Sequence, residues 1–259
     1  MRIATWNVNS LNVRLQHVLD WLRANPVDAL CLQELKLPDD RFPAADLAAA
    51  GYAAAWAGQP TYNGVAILTR TETVGPPLDV LRGNPRFEDP QQRLITATVA
   101  GVRLVCAYFP NGQSVGSDKY AYKLAWIDAL LGWLPELQRA HPLLALAGDY
   151  NIAPEDRDVH HPAAWAGQVL CSEPERERFR ALVALGLIDA FRRFDQPDRL
   201  FSWWDYRALG FRRNAGLRID HLLLSPALAE RAVSCTIDKA PRRLDKPSDH
   251  APVVVEIAD

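Results

Sequence analysis

Cysteine is scarce in this sequence of 259 residues, and its four cysteines lie far apart. None of them belongs to a CxxC pair, so neither a disulfide framework nor a zinc knuckle is indicated. Three of the four lie in apolar, strand-like runs, where cysteine usually acts as a small buried hydrophobic residue. The positions are Cys31, Cys106, Cys171 and Cys235.

Long hydrophobic runs and N-terminal targeting patterns are also missing. No apolar stretch approaches the about 20 residues that a membrane-spanning helix needs. The chain passes from Met1-Arg2 directly into a strand-like run, without the charged and apolar regions of a signal peptide. We therefore expect a cytoplasmic protein.

The chain has no strong excess of charge of either sign, since 29 Lys and Arg against 31 Asp and Glu give a net charge of −2. An anionic partner would therefore have to be held by a local basic patch. Hydrophobic residues make up 49% of the chain, which is enough for a substantial core. Without internal repeats or a low-complexity linker, we predict a single domain over residues 1–259.

Eight apolar runs predict β-strands, and three amphipathic segments predict helices. The strands are expected at Arg2–Asn7, Ala29–Gln33, Gly64–Thr69, Leu94–Val99, Arg103–Phe109, Leu143–Ala147, Ile219–Leu224 and Val253–Ile257. The helices are expected at Asn12–Ala24, Lys119–Trp133 and Glu175–Leu185, the last with Val183 among its inward residues. Because strands outnumber helices and many short turns join them, mixed or antiparallel sheets are favoured over one doubly wound parallel sheet.

Five of the apolar runs end in an acid, an amide or a histidine. A buried strand exposes such a residue where it emerges, and open α/β sheets bind ligands beyond strand ends. If the ends converge, their side chains form a pocket that suits Mg²⁺ and a phosphate. Each residue also has a structural explanation, as a strand cap, an Asx-turn or a structural histidine. The residues are Asn7, Glu34, Asp149 with Asn151, Asp220, and Asp249 with His250.

Taken together, eight motifs in chain order resemble the exonuclease III-type apurinic/apyrimidinic (AP) endonucleases of the endonuclease/exonuclease/phosphatase superfamily. The resemblance runs from residue 2 to the C-terminus. It implies an α/β fold that is a four-layer sandwich, with two packed mixed β-sheets flanked by helices. The motifs are Trp6–Leu11, Leu32–Lys36, Asn63–Ala66, Tyr108–Gly112, Gly148–Pro154, Trp204–Arg207, Gly216–Asp220 and Pro247–Pro252.

The resemblance also implies an enzyme of DNA base excision repair. Such enzymes hydrolyse the DNA backbone on the 5′ side of an abasic site, with 3′→5′ exonuclease and 3′-phosphatase or phosphodiesterase side activities. The implied cofactor is Mg²⁺, with Mn²⁺ as a substitute. The implied partner is double-stranded DNA with abasic sites or blocked 3′ ends, and the family expectation is a monomer.

Carried over residue by residue, the resemblance implies a metal site at three of the strand ends. Glu34 matches the principal Mg²⁺ ligand, Asn7 an adjoining ligand, and Asp249 a second acid near the metal. Asn9 stands where some relatives carry Asp, which puts a second metal position in doubt.

The resemblance assigns catalytic roles to five further side chains. Asp149 matches the base that activates water, or the residue that positions the attacking hydroxide. Asn151 matches the amide that holds the nucleophile and the phosphate. Tyr108 matches a tyrosine beside the scissile phosphate, acting as a donor or as a phenolate. His250 matches the imidazole that contacts this phosphate, and Asp220 the acid that orients it.

Residues 192–218 hold seven arginines against three acids, with aromatic residues between them. This segment predicts a local basic surface for DNA phosphates, with Arg207 and Arg218 among the contacts. The structural alternative is a solvated loop with core aromatics. Trp203 and Leu217 match the family positions that line the small apolar pocket for a flipped-out abasic sugar.

Two positions outside this segment, Arg93 and Asn111, resemble family positions that contact DNA. Lys119 and Lys123 lie four residues apart and share a helix face, from which both side chains could reach phosphates. A solvated helix face is the preferred explanation for these two lysines.

Three alternatives compete with an AP endonuclease. The first is an enzyme of the same fold that mainly processes 3′ ends and cleaves abasic sites weakly. The second is a non-enzymatic DNA-binding relative, which would be expected to lack Glu34, Asp149 or His250, and all three are present. The third is a structural domain without metal, in which the polar strand ends are only caps.

Overall fold

The computed structural model describes residues 1–258. Twelve β-strands are found in this part of the chain. In chain order they are β1 (Arg2–Asn7), β2 (Ala29–Gln33), β3 (Tyr52–Ala57), β4 (Val65–Arg70), β5 (Leu78–Arg82), β6 (Leu94–Val99), β7 (Val102–Tyr108), β8 (Leu144–Asp149), β9 (Ile188–Asp189), β10 (Asp220–Leu224), β11 (Ala232–Ile237) and β12 (Val253–Ile257).

Seven α-helices and several short 3₁₀ turns connect the strands. The helices are α1 (Leu11–Ala24), α2 (Ala44–Ala49), α3 (Thr71–Val74), α4 (Asp118–Ala140), α5 (Pro162–Trp165), α6 (Glu173–Ala184) and α7 (Pro226–Ala229). Within residues 1–258, no helix combines the length and the apolar character that a membrane crossing requires.

The strands form two six-stranded sheets that pack face to face. The first has the order β11-β12-β1-β2-β4-β3, and the second has the order β5-β6-β7-β8-β10-β9. The central core joins residues of both sheets, such as Ile3 and Cys31 from the first and Leu104 and Cys106 from the second. Helices α1 and α2 cover the outer face of the first sheet, and α4 and α6 cover that of the second. The predicted four-layer α/β sandwich is confirmed.

All eight predicted strands are present, and their ends shift by at most two residues. Four strands, β3, β5, β9 and β11, were not predicted. Strand β3 has the sequence Tyr-Ala-Ala-Ala-Trp-Ala, and alanine has little preference for strands. Strand β5 is an exposed edge strand and β9 has only two residues, so neither has a buried apolar pattern.

The helix predictions need two corrections. Helix α4 continues through Pro135 to Ala140, because its apolar stripe is still buried against the second sheet. In α6 the prediction that Val183 faces the core is wrong, since this side chain is 42% exposed. The buried stripe of α6 consists of Glu175, Phe179 and Leu182, and α6 starts at a capping box formed by Ser172 and Glu175.

The strand directions bring the polar ends to one edge of the sandwich. Strands β1 and β2 are parallel, as are β7 and β8, so each pair has its carboxyl ends together. Strands β12 and β10 run antiparallel to β1 and β8 and therefore begin at this edge. The register places Asp220 of β10 directly opposite Asp149 of β8. The sheet topology thus builds a cluster from residues far apart in sequence.

Candidate active site

Four of the strand ends meet in one acid–amide–imidazole cluster. Ligand atoms of Glu34, Asp149 and His250 lie within 4.8 Å of one another. The Nδ2 of Asn7 donates to Glu34 Oε1 and to Asp149 Oδ2, each at 2.9 Å. Glu34 and His250 are therefore on the same side of the molecule, as the convergence of the strand ends predicts.

Glu34 is held ionised at the end of β2. Its main chain is in the left-handed region at φ +55°, which turns the chain sharply after the buried strand. The Lys36 ammonium lies 2.7 Å from Glu34 Oε2. Burial alone would raise the pKa of Glu34, but Lys36 and the Asn7 amide outweigh it and lower the pKa.

His250 lies between two carboxylates. Its Nδ1 is 2.9 Å from Asp220 Oδ2, and its Nε2 is 3.7 Å from Asp149 Oδ2. Asp220 is itself fixed by the Ser202 hydroxyl, which donates to Asp220 Oδ2 at 2.6 Å. Burial opposes the charged imidazole, but the facing acids prevail and raise the pKa of His250. Asp220 thus orients the ring, and the facing acids favour its protonated form.

Asp149 and Asn151 project from the turn that follows β8. The Asn151 N–H donates to Asp149 Oδ1 at 2.9 Å, and the Asn151 amide donates to the Phe109 carbonyl at 3.0 Å. Asn111 donates to Asn151 Oδ1 at 3.1 Å. The predicted Asx-type turn is therefore present, and it also aims both side chains at the cluster. Burial raises the pKa of Asp149 above its usual range.

Tyr108, at the end of β7, completes the cluster. Its hydroxyl donates to Glu34 Oε1 at 2.9 Å. Burial and the nearby carboxylates of Glu34 and Asp149 raise the pKa of Tyr108 well above its usual range. This direction favours the neutral phenol, acting as a hydrogen-bond donor, over the phenolate.

The sequence and the fold match one family along almost the whole chain. A profile of the endonuclease/exonuclease/phosphatase family matches residues 4–250. Exodeoxyribonuclease III of Haemophilus influenzae is 35% identical, with 99% of each chain covered. The chain belongs to the endonuclease/exonuclease/phosphatase family. This membership confirms the resemblance and the prediction of a nuclease-type hydrolase.

Two solved structures have nearly the same fold as this chain. The 3′ phosphatase NExo from Neisseria, bound to a product DNA hairpin, has a TM-score of 0.97 and 46% identity, with 100% of both chains covered. An AP endonuclease from Archaeoglobus fulgidus has a TM-score of 0.94 and 37% identity, with 99% of both chains covered.

The cluster fits a divalent metal ion through its carboxylates. Glu34 and Asp149 offer oxygen atoms close together, as a hard cation requires. His250 is the third member by distance, and its Nδ1 is already engaged by Asp220. Asn7 turns its amide nitrogen towards both acids, and its Oδ1 accepts from the Asn9 N–H at 2.9 Å. Ligation by Asn7 would therefore require its amide to rotate, and its role as a ligand stays a prediction.

Asp249 lies in a different set of contacts. Its Oδ1 accepts from the Asn9 amide and its Oδ2 from the Trp203 indole, each at 2.9 Å. It is absent from the group of Glu34, Asp149 and His250, and a direct role at the metal stays a prediction. Asp249 thus connects the loop between β1 and α1 with the segment that carries Trp203.

The two residues predicted to line an apolar pocket are neighbours. Trp203 and Leu217 pair through their main chains, and Trp203 also forms a bridge with His250. Leu217 is fully buried in a small cluster that includes Val159 and Leu170, whereas Trp203 is only partly buried. The main chain of Trp203 thus lies beside His250, while the Leu217 side chain is buried in the apolar cluster.

The predicted DNA contact of Arg218 is wrong. Its side chain is only 1% exposed and forms ion pairs with Asp158 at 2.7 Å and Asp189 at 2.9 Å. A buried guanidinium that is already paired twice has no surface to offer a phosphate. Lys123 is also buried, so neither a phosphate contact nor a solvated helix face describes it.

The other predicted DNA contacts lie at the surface around the cluster. Arg93 packs over the Tyr108 ring, with its guanidinium carbon 4.9 Å from the ring centroid. Asn111 is exposed beside Asn151. Arg207 is exposed and paired with Asp205 at 2.6 Å. Asn111 and Arg207 are exposed and Arg93 is half-buried, and the contact of all three with DNA stays a prediction.

Sequence reasoning missed two residues that shape the site. The Lys36 ammonium lies between Glu34, with which it forms an ion pair, and Asn9, to whose Oδ1 it donates at 2.5 Å. Its place two residues after Glu34 is the signal that could have revealed it. Ser202 holds Asp220 and also accepts from the Asp220 N–H at 3.0 Å. A serine 18 positions from its partner carries no local signal.

Proposed function

We propose that the chain is a Mg²⁺-dependent DNA repair nuclease that cleaves the backbone on the 5′ side of abasic sites and also processes 3′ ends. The observation that carries this proposal is the single cluster of Glu34, Asp149 and His250, with Tyr108 and Asn151 directed into it. The relatives support the substrate, since one is named an exodeoxyribonuclease III and another an AP endonuclease.

The proposed chemistry follows from the charge of a phosphodiester. The group is already anionic, and further negative charge builds on its oxygens during attack, so preorganised donors must face them. The His250 imidazolium, the Asn151 amide and the Tyr108 hydroxyl are the donors of this site. A divalent cation bound by the Glu34 and Asp149 carboxylates supplies additional positive charge. Mg²⁺ suits these oxygen ligands, with Mn²⁺ as a substitute.

Asp149 is proposed to orient the attacking water and take its proton. Its Oδ1 is fixed by the Asn151 N–H, and its Oδ2 faces Asn7 and the His250 ring. A buried carboxylate that is fixed by these contacts suits a general base. Asp220 keeps His250 oriented and charged, as carboxylates do for catalytic imidazoles elsewhere.

Trp203 is proposed to recognise the abasic sugar, whereas the predicted sugar contact of Leu217 is not retained, because its side chain is fully buried and it pairs with Trp203 through the main chain. A nucleotide without a base loses little stacking when it leaves the duplex, so an apolar surface beside the scissile bond can select it. Arg93, Asn111 and Arg207 are proposed to contact the DNA around this site. Binding of double-stranded DNA needs no second subunit in this arrangement, and we propose a monomer.

The second candidate is an enzyme that mainly removes groups from 3′ ends. The observation in its favour is the Neisseria relative, 46% identical to this chain, which is named a 3′ phosphatase. The full burial of Leu217 also leaves only part of Trp203 accessible to an internal abasic sugar.

One substrate series ranks the activities. A labelled duplex with one internal tetrahydrofuran abasic analogue, one with a recessed intact 3′ end and one with a 3′-phosphate are each incubated with the protein and Mg²⁺. We expect cleavage 5′ to the analogue and release of the 3′-phosphate, both abolished by EDTA. Trp203→Ala should reduce cleavage at the analogue more than release of the 3′-phosphate. A protein inert on all three substrates, or equally active in EDTA, would contradict the proposal.

We also propose that residues 1–259 act as one catalytic domain in the cytoplasm. The two sheets share one central core, and both contribute to the active site, so neither half is complete alone. The four cysteines are buried and unpaired, as in proteins of reducing compartments.

A further inference from the structure

A buried ion pair that the proposed chemistry does not use lies behind the catalytic cluster. Lys123 of α4 pairs with Glu175 of α6, and both side chains are 0% exposed. The Lys123 ammonium also donates to two main-chain carbonyl oxygens, that of Asn151 at 2.7 Å and that of Asn111 at 3.2 Å. The same lysine therefore holds the two loops that carry the amide pair of the site.

Stability alone does not account for this ion pair. Removing two charges from water is costly, and apolar residues of similar volume often give an equally or more stable protein. Burial indeed lowers the pKa of Lys123, although Glu175 opposes this effect. A role in fixing a particular geometry explains why charges occupy this position.

The Glu175 carboxylate extends the network to a third segment. Its Oε1 accepts from the Leu170 N–H at 3.0 Å, and its Oε2 accepts from the Ser172 N–H at 3.1 Å. Leu170 belongs to the same apolar cluster as Leu217. The ion pair thus connects both sides of the candidate DNA site, the amides on one side and the apolar cluster on the other.

The contact with Asn151 links the ion pair to the chemistry. Asn151 has a left-handed main chain, at φ +51°, a conformation that asparagine adopts more readily than most residues and that the surrounding hydrogen bonds hold in place. Its carbonyl is fixed by Lys123, its N–H by Asp149 and its amide by Phe109 and Asn111. Without the ammonium, the carbonyl loses its buried donor and the turn loses one of its constraints.

We propose that Lys123, held by Glu175, is a positioning residue that acts through the main chain of Asn151 and Asn111. This role rests on the proposed function, because it aims the Asn151 amide at the reacting phosphate. The side chain of Lys123 does not itself contact the DNA. Its removal should therefore affect turnover more than DNA binding.

The test is the double variant Lys123→Met/Glu175→Gln, which removes both charges and keeps an acceptor for the Ser172 N–H. We expect kcat on the preferred DNA substrate to fall about 10- to 100-fold, the scale of a small misplacement of a catalytic group, with KM changing much less. The thermal midpoint should stay close to that of the wild type. If this variant folds poorly, Lys123→Gln/Glu175→Gln provides the same comparison, because it also removes both charges and leaves no unpaired buried ion.

A matched control comes from the same two helices. Arg178 of α6 pairs with Asp128 of α4 at 2.7 Å near the surface, with no contact to the site loops. Arg178→Met/Asp128→Asn should leave kcat unchanged. An equal loss of kcat in both double variants would show that only the packing of α4 on α6 matters, and would overturn the proposal.

A mutant cycle and hydrogen exchange separate this role from the proposed function. When Asn151→Ala is already present, adding Lys123→Met/Glu175→Gln should lower kcat little further. If this addition lowers kcat by the same factor as it does in the wild type, the two effects are independent and the proposal is contradicted. Exchange of main-chain amides in residues 109–113, 149–153 and 168–173 should become faster in the Lys123 variant and not in the control. This readout needs no catalysis, so it tests positioning even if the wild type cleaves none of the DNA substrates. Unchanged exchange and unchanged kcat would refute the role of Lys123.

Discussion

At the scale of single residues, the site works by setting charge states through contacts. Lys36 and Asn7 keep Glu34 ionised, and Asp220 with Asp149 keeps His250 protonated. Tyr108 stays neutral because its surroundings are buried and negative. One edge of the sandwich therefore holds carboxylates and hydrogen-bond donors in direct contact with one another.

Asp149→Asn tests the proposed base. The amide keeps the shape, and its Oδ1 can still accept from the Asn151 N–H while its NH2 group replaces the oxygen that faces Asn7, so the fold should be retained. Without a carboxylate to take the proton, kcat on the preferred DNA substrate should fall by at least about 10²-fold. Steady-state kinetics measure this change, with Asp46→Asn on the exposed face of α2 as the control. Near-normal turnover would rule out the assigned role of Asp149.

At the scale of elements, the site depends on the close pairing of β7 and β8. These parallel strands bring Tyr108 and Asp149 side by side, in register with Ala107 opposite Gly148. A Cβ on Gly148 would lie 1.8 Å from the Ala107 carbonyl oxygen. Glycine is therefore needed here because of the approach of the neighbouring strand.

Gly148→Ala should force the two strands apart. We expect a loss of about 1–3 kcal/mol in the free energy of unfolding, as for other overpacked positions, measured by urea denaturation. The control is Gly132→Ala within α4, where a Cβ meets nothing within 4 Å. That change should stabilise the protein by about 0.5–1 kcal/mol, because alanine favours the helix. A Gly148→Ala protein as stable as the wild type would contradict the steric argument.

At the scale of the whole molecule, the protein has a net charge of −2, so its overall charge does not attract a polyanion such as DNA. The arginines of residues 192–218 divide into two groups. Arg192 and Arg218 point inward to Asp158, while the remaining five are exposed. Within this segment, we expect attraction to DNA to come from the five exposed arginines, namely Arg193, Arg199, Arg207, Arg212 and Arg213.

DNA binding should accordingly weaken with salt, because neutralised phosphates release counterions. Fluorescence anisotropy over a salt series gives the slope of log affinity against log salt. Arg212→Ala/Arg213→Ala should make this slope shallower by roughly one for each phosphate that is no longer neutralised. Arg23→Ala, at the end of α1 that leads away from the active-site edge, should leave it unchanged. An identical slope for the Arg212/Arg213 variant would place the DNA elsewhere.

The sequence by itself determined the strands and the residues at their ends. A run such as Arg2–Asn7 is local, and its apolar pattern and polar end are visible without any partner. The order of the motifs along the chain then indicated the family, the four-layer sandwich and the members of the catalytic cluster.

Only the tertiary structure decided which charged residues reach solvent. Arg218 and Lys123 resemble surface residues in the sequence, yet both are buried against acids. The acids that pair with Arg218 lie 60 and 29 positions away in the sequence, and the acid that pairs with Lys123 lies 52 positions away. Local patterns carry no information about such partners, because a buried charge is tolerated only where distant elements pack to neutralise it. The supports of the active site were therefore hidden from the sequence, while the residues they support were not.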